Sequence, residues 1–218
     1  VPKRLARNPA IANPLASFGI VSGMTFPILM FPACILFGLA ELLIPELARC
    51  AAGVNEGRIR YLVRRSLKAA LLYALVISGL LRFLAEPLCL RFYGNAEAAL
   101  SLRRYAPLIP MLYCDAIIDA MTKGLGQQRA CVRYNILTSA MDVGMLFVLL
   151  PCCGMQGYFL SFFISHGVNF LLSLRRLLKI SRVNLPMGQI GKALAAAILS
   201  QQIAARAPGP EMQCLFHL

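Results

Sequence analysis

The stretch Gly19–Leu47, GIVSGMTFPILMFPACILFGLAELLIPEL, holds a single charged residue, Glu41, before Glu46. It is long enough to cross a hydrocarbon core of roughly 30 Å, which takes about 20 helical residues. Pro27 and Pro32 lie inside it, and a membrane span tolerates proline because neighbouring helices and side chains satisfy the freed carbonyls. The reading is a kinked spanning helix. Outward from it, Leu67–Leu90 reads as a second span, apolar without interruption from Ala69 to Leu81, with Arg82 and Glu86 one turn apart near its far end. Tyr105–Lys123, YAPLIPMLYCDAIIDAMTK, is the third and most polar. Tyr134–Pro151 and Met155–Leu174 are the fourth and fifth, and the tight uncharged turn Pro151–Gly154 between them requires an antiparallel hairpin. A sixth apolar stretch, Ile190–Ala204, covers only about 22 Å at roughly 1.5 Å per residue. The organisation expected is a lead-in over 1–18, on the extracytoplasmic side or amphipathic, a helix bundle over 19–205 and a polar tail over 206–218.

Composition supports the same class. Hydrophobic residues make up 59% of the 218 and charged residues 14%, against roughly 45–50% and about 25% in soluble proteins. The fold class expected is an all-α, polytopic membrane helix bundle. The net charge of +13 does not point to nucleic acid, because no basic stretch is long enough to form a soluble module with interleaved aromatics. The basic residues cluster between the apolar runs, as topology signals do. Fourteen fall in the alternate linkers: Arg49, Arg58, Arg60, Arg64, Arg65 and Lys68; Lys123, Arg129 and Arg133; Arg175, Arg176, Lys179, Arg182 and Lys192. Six fall opposite: Lys3, Arg4, Arg7, Arg91, Arg103 and Arg104. The richer side is assigned to the cytoplasm, so the first span runs inward. That direction, and a start at Val1 without signal-peptide character, lead us to expect a fragment with earlier spans missing. None of the eight cysteines forms a C-x-x-C pair; they read as small packing residues, with no disulfide and no metal site.

Asp115 and Asp119 are four apart, on one helix face, and Lys123 continues the stripe a turn later. A charge at mid-bilayer costs roughly 2.5–3.5 kcal/mol on insertion scales, so this face must look into the bundle or a wet cavity. The functional reading is a site for a coupling cation, a proton or a polar headgroup; the bland one is an Asp119–Lys123 pair that anchors the helix. Glu41 and Asp142 are lone carboxylates in apolar runs. Glu41 reads as an interfacial acid near Arg49 or as an inward-facing site residue, and Asp142 as either a site residue or a helix-pairing group. His166 and Asn169 share a face of the fifth span, where they serve as interhelical hydrogen-bonding groups or as contacts to a sugar or proton. There is no H-E-x-x-H, G-x-S-x-G, P-loop or dinucleotide fingerprint. Neither an enzyme nor a cofactor is expected.

Four stretches carry a family resemblance. They are GMTFPILMFPACILFGLAELLIPELARC, Tyr113–Gln128 (YCDAIIDAMTKGLGQQ), Val132–Asn135 (VRYN), and Gly157–Phe162 (GYFLSF) running on through His166, Asn169 and SLRRLL. Together they resemble the stage V sporulation protein B family, in the oligosaccharide-flippase branch of the superfamily that also holds multidrug and toxic-compound extrusion antiporters. The resemblance implies about fourteen helices in two pseudo-symmetric halves around an alternately opening cavity. This chain would supply spans eight to twelve and a stub of the thirteenth, a partial second lobe. It also implies work in cell-envelope or spore-cortex peptidoglycan synthesis in a sporulating bacterium.

The expected function is therefore a multi-pass flippase component of the bacterial cell membrane. Its partners would be membrane lipid and a lipid-linked saccharide, with a proton or sodium as coupling ion and an amino-terminal lobe completing it. The alternatives are a cation-coupled multidrug antiporter and a remnant that does not transport.

Overall fold

The computed structural model describes residues 14–182, which lie within one unit, Val1–Asn184. The sixth apolar stretch and the polar tail fall outside the described residues, as does the lead-in up to residue 13. Among the described residues every regular element is helical.

The chain opens with α1 (Pro14–Ile20), a π-helical turn (Val21–Thr25) and α2 (Phe26–Met30), then α3 (Ala33–Ala52). The axis bends by 59° between Ser17–Met30 and Ala33–Ala52. The expected kink is thus a break at Phe31–Pro32, and the pair counts as one span or as a re-entrant turn. Then come α4 (Glu56–Phe83), α5 (Ala85–Tyr93), α6 (Ala96–Tyr105), a 3-10 turn (Ala106–Leu108), α7 (Ile109–Gly124), α8 (Gln128–Cys153) and α9 (Met155–Ser181). Asn55 and Asn95 start α4 and α6, their side-chain oxygens accepting from the Arg58 and Glu97 amides at 3.1 and 2.8 Å.

Three described helices are long and apolar enough to cross a membrane, α4, α8 and α9, and four are if the bent pair is one span. The expected third span departs from this. Pro107 and Pro110 break it, leaving α7 with 16 residues, about 24 Å at 1.5 Å per residue. That helix is central: α3, α4, α8 and α9 all pack on it, and Tyr113, Ile117, Ile118 and Met121 are at most 1% exposed. The expected second span begins eleven residues early, because Asn55 starts the helix in the basic linker. The α8–α9 hairpin is present, but residues 151–153 are helical and Gly154 alone makes the turn, at φ 57° and ψ −137°, where a side chain would be strained.

The surface is inverted relative to a soluble protein. Phe31, Leu72, Val76, Phe147 and Val148 are exposed, while Thr25, Ser78, Thr122, Ser161, Ser165 and Asn169 are buried. Helices touch through small residues: a Cβ on Gly124 would lie 2.8 Å from the Ile44 carbonyl, and one on Gly157 would collide with the Leu149 carbonyl. At one end Arg58 pairs with Glu46 at 2.7 Å, Arg182 with Glu56 at 3.0 Å, and Arg176 donates to Gln127 at 2.7 Å. The first two basic linkers and the basic end of α9 therefore lie together, as the charge count requires.

Carbonyls where the helices break are met by side chains. Tyr113 donates to the Leu29 carbonyl at 2.6 Å and Tyr73 to the Pro32 carbonyl at 2.7 Å, both at the break. Pro107 and Pro110 leave the carbonyls of Arg103 and Ala106 without α-helical donors; Arg82 and Ser78 of α4 donate to them at 2.9 and 2.7 Å. Arg82 and Glu86 do not pair with each other: Glu86 takes the Arg103 guanidinium at 3.0 Å. Tyr113→Phe is expected to lower unfolding stability in detergent by about 1–2 kcal/mol, measured by thermal melting; an unchanged melting temperature would show that the break does not need this bond.

Candidate functional site

Asp115 and Asp119 project from one face of α7 toward the α8–α9 hairpin. Asn169 of α9, 7% exposed, donates its Nδ2 to Asp115 Oδ2 at 2.7 Å. Thr138 of α8 meets Asn169 Oδ1 at 3.5 Å while donating to the Tyr134 carbonyl at 2.8 Å. Asp142 Oδ1 accepts from Ser161 and Ser165 at 2.8 and 3.0 Å. His166 lies against the Phe162 ring, centroids 4.1 Å apart. Asp115, Asp119, Asn135, Thr138, Ser139, Asp142, Ser165, His166 and Asn169 line one open cavity of about 260 Å3.

The site thus brings together five of the six residues expected from sequence: Asp115, Asp119, Asp142, His166 and Asn169. Glu41 is not among them. It is exposed on α3 and lines a second cavity, also about 260 Å3, with Phe37, Ala40, Ile44, Ala116, Asp119, Ala120 and Lys123. Asp119 is common to both. The Asp119–Lys123 pair forms, but loosely, at 3.5 Å. The anchoring pair of the bland reading is therefore present, and Lys123 takes only Oδ2 of Asp119. The Oδ1 atoms of Asp115 and Asp119 are buried without a hydrogen-bond partner among the described residues.

Sequence reasoning missed Asn135, Thr138, Ser139, Ser161 and Ser165. Their signal was present: Ser161, Ser165, Asn169 and Ser173 recur every four residues on α9, and Asn135, Thr138 (or Ser139) and Asp142 every three or four on α8. Each residue alone is unremarked in a membrane helix, and only the repeat marks a polar face.

Among the described residues no group of three His, Cys, Asp or Glu is placed to hold a metal ion. The chemistry on offer is acceptor-rich, with three carboxylates and two unsatisfied carboxylate oxygens. It suits a hydroxyl-rich group or a small cation rather than an anion. The volume is room for about eight or nine waters, below the roughly 300–1,000 Å3 of a drug-sized site. Such a cavity takes one polar group and not a whole amphipathic cargo.

The chain is 20% identical over 184 residues to Stage V sporulation protein B of Bacillus subtilis (strain 168). The match covers 84% of this chain and 36% of that protein, so the chain spans little more than a third of its relative's length. It is a distant relative of that protein. No protein-family model matches, and no solved structure matches.

Asn169→Ala is expected to strand the Asp115 carboxylate and lower unfolding stability by about 1–3 kcal/mol. Asp115→Asn should stay near the parent, since an amide still accepts from Asn169 Nδ2. Equal melting temperatures for parent and Asn169→Ala would contradict the bond.

Proposed function

We propose that the chain is part of a flippase-like transporter of the bacterial cell membrane that moves a lipid-linked saccharide for envelope or spore-cortex synthesis. The observation that carries the reading is the polar cavity between α7, α8 and α9, set in a bundle whose outer surface is apolar. Ionisable residues inside such a bundle are costly to bury, and where they occur they mark substrate or ion pathways. The distant relation to a sporulation protein supports the same reading, as do the stretches that resemble the flippase branch. The cavity admits one sugar-sized group while the lipid tail stays outside, and the remaining helices of a two-lobed transporter complete the path. Cell-membrane localisation and the need for an amino-terminal lobe belong to this proposal.

A second reading is favoured by one specific feature, the two buried, unpartnered carboxylate oxygens of Asp115 and Asp119. They suit an antiporter in which a proton or sodium and a small organic cation occupy the site in turn.

The two are separated by reconstituting the full-length gene product and following both a fluorescent lipid-linked saccharide and efflux of a cationic dye. Lipid movement is expected. Asp115→Asn and Asp119→Asn should each slow it by about tenfold to a hundredfold, the value of a charge-assisted hydrogen bond, with insertion intact. Dye efflux without lipid movement would support the antiporter, and unimpaired transport in both variants would return the acids to a structural role.

A further inference from the structure

Helix α4 has 28 residues, about 42 Å at 1.5 Å per residue, against a hydrocarbon core of roughly 30 Å. About two turns must therefore stand outside the core. The sequence says which end: Ala69–Leu81 is free of charge, whereas Arg58, Arg60, Arg64, Arg65 and Lys68 fill the amino-terminal turns. The buried face of α4 runs through Val63, Leu67, Ala70, Ala74 and Ser78. The opposite, exposed face carries Tyr61, Arg64, Arg65 and Lys68 and then, at the same helical spacing, Leu72 and Val76, which are 65% and 67% exposed. A single outward stripe thus changes from cationic to apolar within one turn.

The charges on that stripe are uncompensated. Arg58 and Arg60 pair with Glu46 and Glu56. Arg64, Arg65 and Lys68 make no ion pair with any described carboxylate. Arg65 donates to the Tyr61 hydroxyl at 2.6 Å and lies over its ring at 5.8 Å, which holds its guanidinium on the outward face. Long basic side chains at the edge of a span reach into the headgroup layer while their stems cover apolar surface. Tyrosine there belongs to the same layer.

From this we infer that the exposed face of α4 is a binding surface for an anionic phospholipid of the surrounding leaflet, its phosphate held by Arg64, Arg65 and Lys68 and its acyl chain lying along Leu72 and Val76. The charge complementarity selects an anionic over a zwitterionic headgroup, and the apolar continuation of the stripe selects a lipid over a soluble anion. The surface is separate from the polar cavity and does not depend on the transport reading.

The chain contains no tryptophan, so Leu72→Trp places a lone reporter below the basic cluster. The full chain carrying it is reconstituted in bilayers with brominated phosphatidylglycerol or brominated phosphatidylcholine, and quenching gives the relative affinity of each lipid for the site. A basic residue at the membrane surface contributes about fivefold to the binding of an anionic lipid. Phosphatidylglycerol should therefore quench with at least about fivefold higher relative affinity. The preference should fall at 1 M salt, where the Debye length is about 3 Å, vanish in R64Q/R65Q/K68Q, and survive in R64K/R65K. A Phe147→Trp reporter on α8, 79% exposed and without a basic residue nearby in sequence, should show no preference. Equal quenching by the two lipids, the same preference at position 147, or no quenching at position 72 because protein covers the face, would each overturn the inference.

Discussion

The carbonyls exposed where the helices break set the terms for the rest of the fold. In a bilayer an unsatisfied backbone group costs several kcal/mol, so each must find a donor inside the protein. Four do so in a connected way: Leu29 and Pro32 at the bend, and Arg103 and Ala106 before α7, receive Tyr113, Tyr73, Arg82 and Ser78. Three of those donors are on α4, and the fourth is on α7. The Tyr73 and Tyr113 rings also stack, with centroids 6.3 Å apart. The bent α2–α3 unit, α4 and the start of α7 are thereby fixed against one another, and that arrangement leaves one side of α7 free to face the hairpin.

The site follows from that placement. Because α3 and α4 occupy two sides of α7, the acids at 115 and 119 turn toward α8 and α9, where four-residue repeats of serine and asparagine wait. The short α7 is adequate because protein shields it along its length. Asp115 is met by a neutral amide and Asp142 by two hydroxyls; among the described residues only Asp119 has a cation, and a distant one. The cavity therefore keeps acceptor capacity, which a fully ion-paired cluster would have lost.

Much of this was legible in the sequence. Run length gave the membrane class, the uncharged link at 151–154 gave the hairpin, and the alternation of basic linkers gave the end on which they gather. The Asp115–Asp119 spacing and the His166–Asn169 face identified two walls of the cavity. The length of α7 was not legible, because hydropathy does not register that Pro107 and Pro110 turn the chain before the helix starts. Glu41 was left between an interfacial acid and an inward-facing site residue, because which face of α3 meets α7 is decided by the close approach of Gly124 to Ile44, a tertiary contact. The donors for the carbonyls at the breaks were invisible for the same reason: Tyr73 and Pro32 are 41 residues apart.

The central claim, a wet polar cavity inside an apolar bundle, is tested most directly on a single helix. In a background with the native cysteines replaced, Ser139→Cys lines the cavity, whereas Leu137→Cys, on the opposite face of the helix and 59% exposed as leucine, faces the apolar surroundings. A hydrophilic maleimide applied to the reconstituted protein should modify position 139 and spare 137. Modification at 137 with none at 139 would place water and lipid on the wrong sides of α8 and contradict the account.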